Sequence, residues 1–247
     1  TGSSLSGSIT TGDNGTGVVT FAGNYTVVGV VGGSGNALGT LQANTADSLV
    51  QFNNDIYATT ILFNAQNSIL LADGKSIAGA ITNTTSSDGT LTFAGDGTMA
   101  GDIGGSSNLI GTVSNNVIDK LVQFDGDVYA VNVLLNANGT ITLADGKSIT
   151  ALVTNTTDTD GTLTFAGDGT VVGNVGVQTT NNIGTVSNNA ADKLVQFDGD
   201  VYAVNLLFNA NNSILMADGK SIAGAITNTT STEGTLTFAG DGSVVGD

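Results

Sequence analysis

The feature that most constrains this fold is a repeat of 72 or 73 residues. Three stretches return at that spacing: GTLTFAGDG at 89–97, 161–169 and 234–242, LVQF at 49–52, 121–124 and 194–197, and ADGKS at 72–76, 144–148 and 217–221. A sandwich needs a fixed set of strands, whereas a solenoid accepts any number of identical units. The repeat therefore predicts one solenoid segment over residues 1–247, with copies at approximately 1–88, 89–160 and 161–233 and a partial copy at 234–247.

Inside each copy, short stretches alternate between apolar and polar residues and are separated by Gly/Asp turns. In TLTF, Leu163 and Phe165 face one way while Thr162 and Thr164 face the other, which is the two-residue period of a β-strand. Gly, Asn, Thr and Val are weak helix formers, and no long stretch has the helical pattern. The chain is therefore predicted to be all-β.

The spacing of apolar positions sets the size of one coil of the solenoid. If Phe93, Phe124, Leu143 and Phe165 are equivalent, the steps are 31, 19 and 22 residues, with a mean of 24. This mean predicts a parallel β-helix of roughly ten coils, about three in each repeat. One extra residue between positions 173 and 184 predicts a loop there, because loops tolerate changes of length.

The stretch VYAVNVLL at residues 128–135 has two alternating faces. Tyr129, Val131, Val133 and Leu135 form the more apolar set, so they are predicted to face the core. Tyr129 has an equivalent in both neighbouring copies. This tyrosine set is interpreted as packing in the core or in a groove, in preference to a binding stripe.

Composition excludes several classes of function. The chain has no His, Cys, Pro or Trp, its five basic residues are all Lys, and its formal net charge is −16. Without His or Cys, neither a catalytic triad nor a usual zinc site can form. The negative charge disfavours nucleic acid and anionic lipid as partners. No apolar run is long enough to predict a membrane-spanning helix, so direct membrane insertion is not expected.

Asp residues beside Gly in the repeated turns are candidates for calcium ligands, because Ca²⁺ prefers oxygen donors. The candidates are Asp96, Asp125, Asp127, Asp168, Asp198, Asp200 and Asp241. Neither the nonapeptide of calcium-binding β-rolls nor the EF-hand spacing is present. Turn residues that accept backbone N–H bonds are the preferred interpretation, so the sequence predicts no metal site and no cofactor.

Two further patterns were considered as functional sites. Asp125 and Asp127 lie on one strand face and form a candidate pair for cleavage of polysaccharides. The pair recurs in every copy, with Asn53 replacing one acid, whereas an active site is expected once, so no enzyme is predicted. Pairs of the form Thr-x-Thr suggest an ice-binding ladder, but they occur only once or twice per copy. An interrupted ladder of exposed β-forming residues is therefore expected.

The long repeat itself carries a family resemblance. LVQFDGDVYAVNVLLNANGTITLADGKSITALVTNTTDTDGTLTFAGDG and its sister copies resemble the passenger region of rickettsial surface cell antigen autotransporters, of the outer membrane protein A tandem-repeat type or the outer membrane protein B type. The resemblance covers essentially all 247 residues. It implies a location on the extracellular side of a bacterial outer membrane, further passenger repeats, a C-terminal β-barrel outside this sequence, and a role in adhesion to host cells and virulence.

Two functions from different classes follow from the repeat and the resemblance. In one, the segment binds a host cell-surface protein through a repeated lateral surface, because equal weak sites raise avidity. In the other, it is a structural stalk that projects a distal adhesive region, because length is then the useful property. The sequence leaves both open.

Overall fold

A computed structural model describes residues 2–229 and 234–247. These residues form strands and turns, and no helix occurs among them. The described chain makes about 11 coils of a parallel β-solenoid, so the predicted fold class is confirmed. The predicted end of the third repeat copy, at residue 233, lies outside the described residues.

The chain divides into two compact units, and each is described by itself. The first consists of residues up to Ser114 together with Phe124–Val131, and the second of Asn115–Gln123 and Asn132–Asp247. The strands of the first unit are β1 (Ser3–Leu5), β2 (Thr16–Phe21), β3 (Tyr25–Val27), β4 (Leu38–Ala43), β5 (Leu49–Phe52), β6 (Ile56–Phe63), β7 (Ser68–Leu71), β8 (Lys75–Asn83), β9 (Thr90–Phe93) and β10 (Gly97–Met99).

The remaining strands complete the description. Three have residues in both units: β11 (Ile110–Asn115), β12 (Leu121–Phe124) and β13 (Val128–Leu135). The strands of the second unit are β14 (Thr140–Leu143), β15 (Lys147–Thr154), β16 (Thr162–Phe165), β17 (Gly169–Val172), β18 (Ile183–Asn188), β19 (Leu194–Phe197), β20 (Val201–Phe208), β21 (Ser213–Met216), β22 (Lys220–Asn228), β23 (Thr235–Phe238) and β24 (Gly242–Val245).

Each coil of the second unit has three sides. The first stack consists of β14, β16, β18 and the second halves of β20 and β22. The second consists of the start of β15 with β17, β19, β21 and β23. The third runs through single core positions, Val153, Val175, Val201, Ile222 and Val244. Long strands such as β20 therefore bend from one side of the coil to the next.

The first unit is built in the same way. One stack consists of β1, β3, β5, β7 and β9. A second passes through Ile9, Val31, Ile56, Ile77 and Met99. The third consists of β2, β4 and the second halves of β6 and β8. All of these strand pairings are parallel, and the apolar residues at alternate positions are buried inside the coils.

The repeat is longer than three coils by one side. The stretch TLTF occurs in β16, in the first stack of the second unit, and again in β23, in the second stack. Three coils, with register steps of 23, 20 and 20 residues, lead from β16 through β18 and β20 to β22, and β23 follows one side later. One repeat thus fills three and one-third coils, where about three were predicted. The prediction took the 31 residues from Phe93 to Phe124 as a single coil. The strand IGTVSN, which is β11, lies between them and was left out.

The predicted core face of VYAVNVLL is correct only for its second half. Val133 and Leu135 are buried as predicted, but Val131 is exposed and Tyr129 is half-buried. In the first half of the strand, Val128 and Ala130 face the core instead. The strand turns a corner of the coil between its halves, which breaks the two-residue alternation. The equivalent strands β6 and β20 have a register irregularity at the same place, before Thr60 and Asn205.

The extra residue in the third copy lies in a loop, as predicted. Val177 and Asn181 form an isolated antiparallel bridge that closes this loop, whereas Gly105 and Asn108 close the shorter one in the preceding copy. The loop adds its residue outside the stacked strands. The coil therefore keeps its register.

Candidate functional surface

The charges of this protein lie at the corners of the coils. None of the 24 strands in the described part of the chain contains Asp or Glu, and the only charged strand residues are Lys75, Lys147 and Lys220, each at a strand start. The acidic side chains that the structure describes therefore belong to turns. The sheet faces are neutral, although the chain as a whole is strongly acidic.

The carboxylates have a structural role in the FAGDG turns. The backbone N–H of Asp168 donates to Asp145 Oδ1 at 2.7 Å, and Gly146 N–H donates to the Asp168 carbonyl at 2.8 Å. The same bond joins Asp96 to Asp73 at 2.8 Å and Asp241 to Asp218 at 2.7 Å. The Asp of each ADGKS turn thus holds the FAGDG turn of the next coil.

The first Gly of GDG is required by this contact. A Cβ on Gly167 would lie 2.1 Å from Asp145 Oδ1 and 2.4 Å from its Cγ. The second Gly, Gly169, packs against the core, because its Cβ would lie 2.6 Å from a ring carbon of Phe165. Both glycines of the motif are explained by close packing in the stack.

Substituting Gly167→Ala is expected to lower the free energy of unfolding by about 1–3 kcal/mol, the usual cost of overpacking. The double variant with Asp145→Ala should lose less than the sum of the two single variants, because the second change removes the clashing carboxylate. Urea unfolding of all four proteins measures this coupling. Strict additivity would show that the contact does not require glycine.

Lys193 forms the best-defined ion cluster of the second unit. Its Nζ lies 2.9 Å from both carboxylate oxygens of Asp145 and 3.2 Å from Asp168 Oδ2. The hydrogen bond from Lys193 is the main cause that lowers the pKa of Asp145. For Asp168, the Leu194 N–H lowers the pKa most and Lys193 adds to it. The two carboxylates in turn raise the pKa of Lys193.

This cluster predicts a pH-dependent contribution to stability. Because the folded-state pKa values of Asp145 and Asp168 are lowered, their contribution is present above their unfolded pKa, about 4, and disappears as the pH falls through the lowered values. The variant Lys193→Met should therefore melt below the unmodified chain at neutral pH, and the difference should shrink in acid. Lys220→Met, which removes the same charge, is the control. A gap in melting temperature that stays constant into strong acid would contradict the assignment.

The FDGDV turns use their acids in a similar way. Gln196 Nε2 donates to Asp198 Oδ1 at 2.7 Å, and Gln51 donates to Asn53 at the same distance. An amide oxygen thus replaces the carboxylate without loss of the bond. Asp200 Oδ1 accepts the Ser221 N–H at 2.9 Å. Burial and this carboxylate raise the pKa of the half-buried Tyr202.

No group of three acidic side chains that could hold a metal ion is assembled in residues 2–229 and 234–247. The seven calcium candidates divide between two kinds of corner: Asp96, Asp168 and Asp241 in FAGDG turns, and Asp125, Asp127, Asp198 and Asp200 in FDGDV turns. The prediction that these residues are turn acids and not calcium ligands stays untested.

The Thr-x-Thr pairs form a longer ladder than the sequence indicated. In the second unit, Thr140 pairs with Thr162 and Thr142 with Thr164. Thr162 pairs in turn with Thr185, and Thr164 Oγ1 lies 3.1 Å from the Ser187 hydroxyl. TITL, TLTF and GTVS thus lie in neighbouring coils of one stack, but the run ends at the next strand, where Thr185 pairs with Asn205 and Ser187 with Leu207. The ladder is therefore interrupted, as expected, although each run is longer than one pair.

We call the outward residues of these four-strand runs the hydroxyl patch. In the first unit it comprises Leu49, Gln51, Ser68, Leu70, Thr90, Thr92, Thr112 and Ser114, on β5, β7, β9 and β11. In the second it comprises Leu121, Gln123, Thr140, Thr142, Thr162, Thr164, Thr185 and Ser187, on β12, β14, β16 and β18. A third run begins on β19, β21 and β23. All of these residues are uncharged. Ser114, Thr164 and Ser187 are buried, and the other members of the patch are partly or fully exposed.

A shallow groove adjoins the start of the third run. Its lining includes Ser148, Thr170, Leu194 and Gln196 together with the charged residues Lys147 and Asp168. The equivalent groove of the first unit is lined by Thr26, Leu49 and Gln51 together with Gly2, Asn24 and Tyr25. Both grooves are open to solvent. They suit contact with a macromolecular surface better than enclosure of a small molecule.

Sequence reasoning missed a set of buried asparagines. Asn155 Nδ2 donates to the Asp160 and Asn182 carbonyls at 2.7 and 2.8 Å. Asn83 and Asn115 each bond two carbonyls in the same way. The alternation pattern contains the signal, since each Asn follows a buried apolar residue by two positions. These side chains tie successive corners together inside the solenoid.

The described residues contain no helix that is long and apolar enough to cross a membrane. The chain is similar to a known bacterial protein. The chain is 30% identical over 246 residues to outer membrane protein A of Rickettsia rickettsii, covering 96% of this chain and 11% of that protein. No protein-family model and no solved structure matches the chain. The resemblance to the rickettsial outer membrane protein A type is thereby confirmed.

Proposed function

We propose that this chain, similar over nearly all its length to a rickettsial outer membrane protein A, is a repeat segment of a bacterial surface autotransporter passenger. In this role it contributes to host-cell attachment through its repeated lateral surface. The name of the relative supports a location at the outer membrane. The chain spans about a ninth of the length of that relative. The support for adhesion therefore comes from the exposed surface of this segment.

The observation that carries adhesion is a recurring exposed leucine. Leu49, Leu121 and Leu194 begin the three LVQF strands and are 40%, 44% and 42% exposed. A single exposed apolar residue needs no explanation, but three equivalent positions retain Leu where Thr would suit an exposed strand equally well. Each is followed two residues later by an outward Gln. The pair offers a partner protein one apolar contact and one amide.

We further propose that the segment is not an enzyme. Asp198 accepts a hydrogen bond from Gln196, and Asn53 accepts the equivalent bond in the first copy. Asp200 accepts the N–H and the hydroxyl of Ser221. These bonds give the turn acids a structural role that an amide can also fill, which argues against a catalytic pair.

Attachment is tested with the purified chain and cultured endothelial-type cells. We expect saturable binding that unlabelled chain competes away, and we expect the triple variant Leu49→Thr, Leu121→Thr, Leu194→Thr to lose most of it. The matched control replaces three exposed apolar residues outside the LVQF strands, Val18, Ile118 and Val177, with Thr. Equal loss in both triple variants would argue against the leucines.

A structural stalk is the second candidate, and one observation favours it. Within the second unit, the patch on β12–β18 and the run that begins on β19 lie on different sides of the coil, so a single flat surface cannot meet both. A stalk does not require its repeated surfaces to lie on one side of the coil. Absence of saturable binding by the unmodified chain at micromolar concentration would reject the adhesive surface and leave the stalk.

A further inference from the structure

A surface property beyond the proposed attachment concerns how this chain meets other copies of itself. At a net charge of −16, two copies repel each other at most orientations. The repulsion is smallest where neutral faces meet and the acidic corners stay at the rim. The hydroxyl patch provides such a face over four successive strands in each unit.

The chemistry of the patch is self-complementary. A Thr or Ser hydroxyl both donates and accepts, and the Gln amide does the same, so two identical patches can satisfy each other. A carboxylate surface accepts only. The exposed Leu49 and Leu121 add an apolar contact at one end of each patch.

The patches of two molecules of this chain have the same spacing between strands. Its rungs are adjacent parallel strands, about 4.8 Å apart, and the register is continuous from Thr140 through Thr162 to Thr185. Two such ladders placed face to face keep the same period over all their rungs. A two-fold axis between them makes the contacts reciprocal: if one residue contacts a second residue across the interface, the converse contact forms as well, as in closed homodimers.

We propose that the hydroxyl patch is a homotypic docking surface through which two copies of this chain pair face to face. In the second unit, the patch on β12–β18 and the run on β19–β23 lie in different stacks. One chain therefore offers such surfaces in more than one direction, and association extends beyond a dimer as concentration rises.

Sedimentation of the whole 24.5 kDa chain tests the proposal. We expect reversible association that depends on protein concentration and strengthens at about 1 M NaCl, where the Debye length falls to about 3 Å. The variant Thr90→Asp, Thr162→Asp should weaken association by about tenfold or more, because it places like charges in opposed faces. Circular dichroism confirms that the variant is folded.

The control variant places the same two charges at exposed corners, Thr84→Asp and Thr156→Asp, and should associate like the unmodified chain at high salt. Equal weakening by the corner variant would overturn the proposal, as would a chain that stays monomeric at high salt and millimolar concentration. A monomeric chain that binds a neutral polysaccharide and loses that binding with Thr90→Asp, Thr162→Asp would instead make the patch a glycan site. No host cell takes part, so the result is independent of attachment.

Discussion

Replacing Phe165 with Ala is expected to lower the free energy of unfolding by about 3–5 kcal/mol, the usual cost of truncating a buried aromatic side chain. The ring is fully buried, its centroid lies 5.8 Å from that of Phe197, and Gly169 packs against it. The surrounding strands are fixed by pairing on both sides, so the cavity has little room to collapse. Urea unfolding followed by circular dichroism measures the loss.

Val172→Ala is the matched control for this prediction. Val172 ends the strand that follows Phe165, and it is 42% exposed. Its truncation should change the free energy of unfolding by less than about 0.5 kcal/mol. Similar shifts of the urea midpoint in the two variants would show that the inward ring does not stabilise the coil.

Replacing Asn155 with Ala is expected to lower the free energy of unfolding by about 1–3 kcal/mol. The side chain is 4% exposed, and its Nδ2 is the donor for two carbonyls, those of Asp160 and Asn182. Removing the donor deletes two hydrogen bonds, although each carbonyl keeps one backbone partner, Gly184 N–H for Asp160 and Thr159 N–H for Asn182. A hydrogen bond contributes about 0.5–1.5 kcal/mol net. Urea unfolding gives the free energy, and hydrogen exchange should show faster opening of the corner that contains Asp160.

Asn189→Ala is the control for the buried asparagine. Asn189 also lies beside a coil corner and accepts a side-chain bond from Asn209, but it is exposed to solvent. Water can replace its bond, so a change below about 0.5 kcal/mol is expected. If Asn155→Ala were equally mild, the two bonds of the buried side chain would not stabilise the corner, and the tying role of the buried asparagines would be wrong.

The strands were predictable because their signal is local. TLTF and LVQF each place an apolar residue at the second and fourth positions, and both form strands with these two positions inward. The long repeats then predicted a solenoid, because a solenoid accepts any number of identical units. The same local rule failed for VYAVNVLL, because a strand that bends around a corner changes its inward set halfway.

Properties of the stack were harder to predict, because they depend on which strands become neighbours. The hydroxyl patch requires Thr142 and Thr164 to be paired across coils, and no count of Thr per repeat shows this. The contact between Asp145 and Gly167 joins two turns that are more than twenty residues apart. Charge placement was accessible from the sequence only after the strand boundaries were known.

Because each repeat fills three and one-third coils, the number of repeats determines the side of the solenoid on which the next repeat begins. A copy that follows another begins one side further around the solenoid, as TLTF does between β16 and β23. Insertion of one repeat into such an array would re-aim every later copy by a third of a revolution, while insertion of three would restore the original bearing. A change in repeat number therefore also changes the side of the solenoid on which every later repeat begins. Two arrays that differ by one repeat would present different surfaces in a given direction.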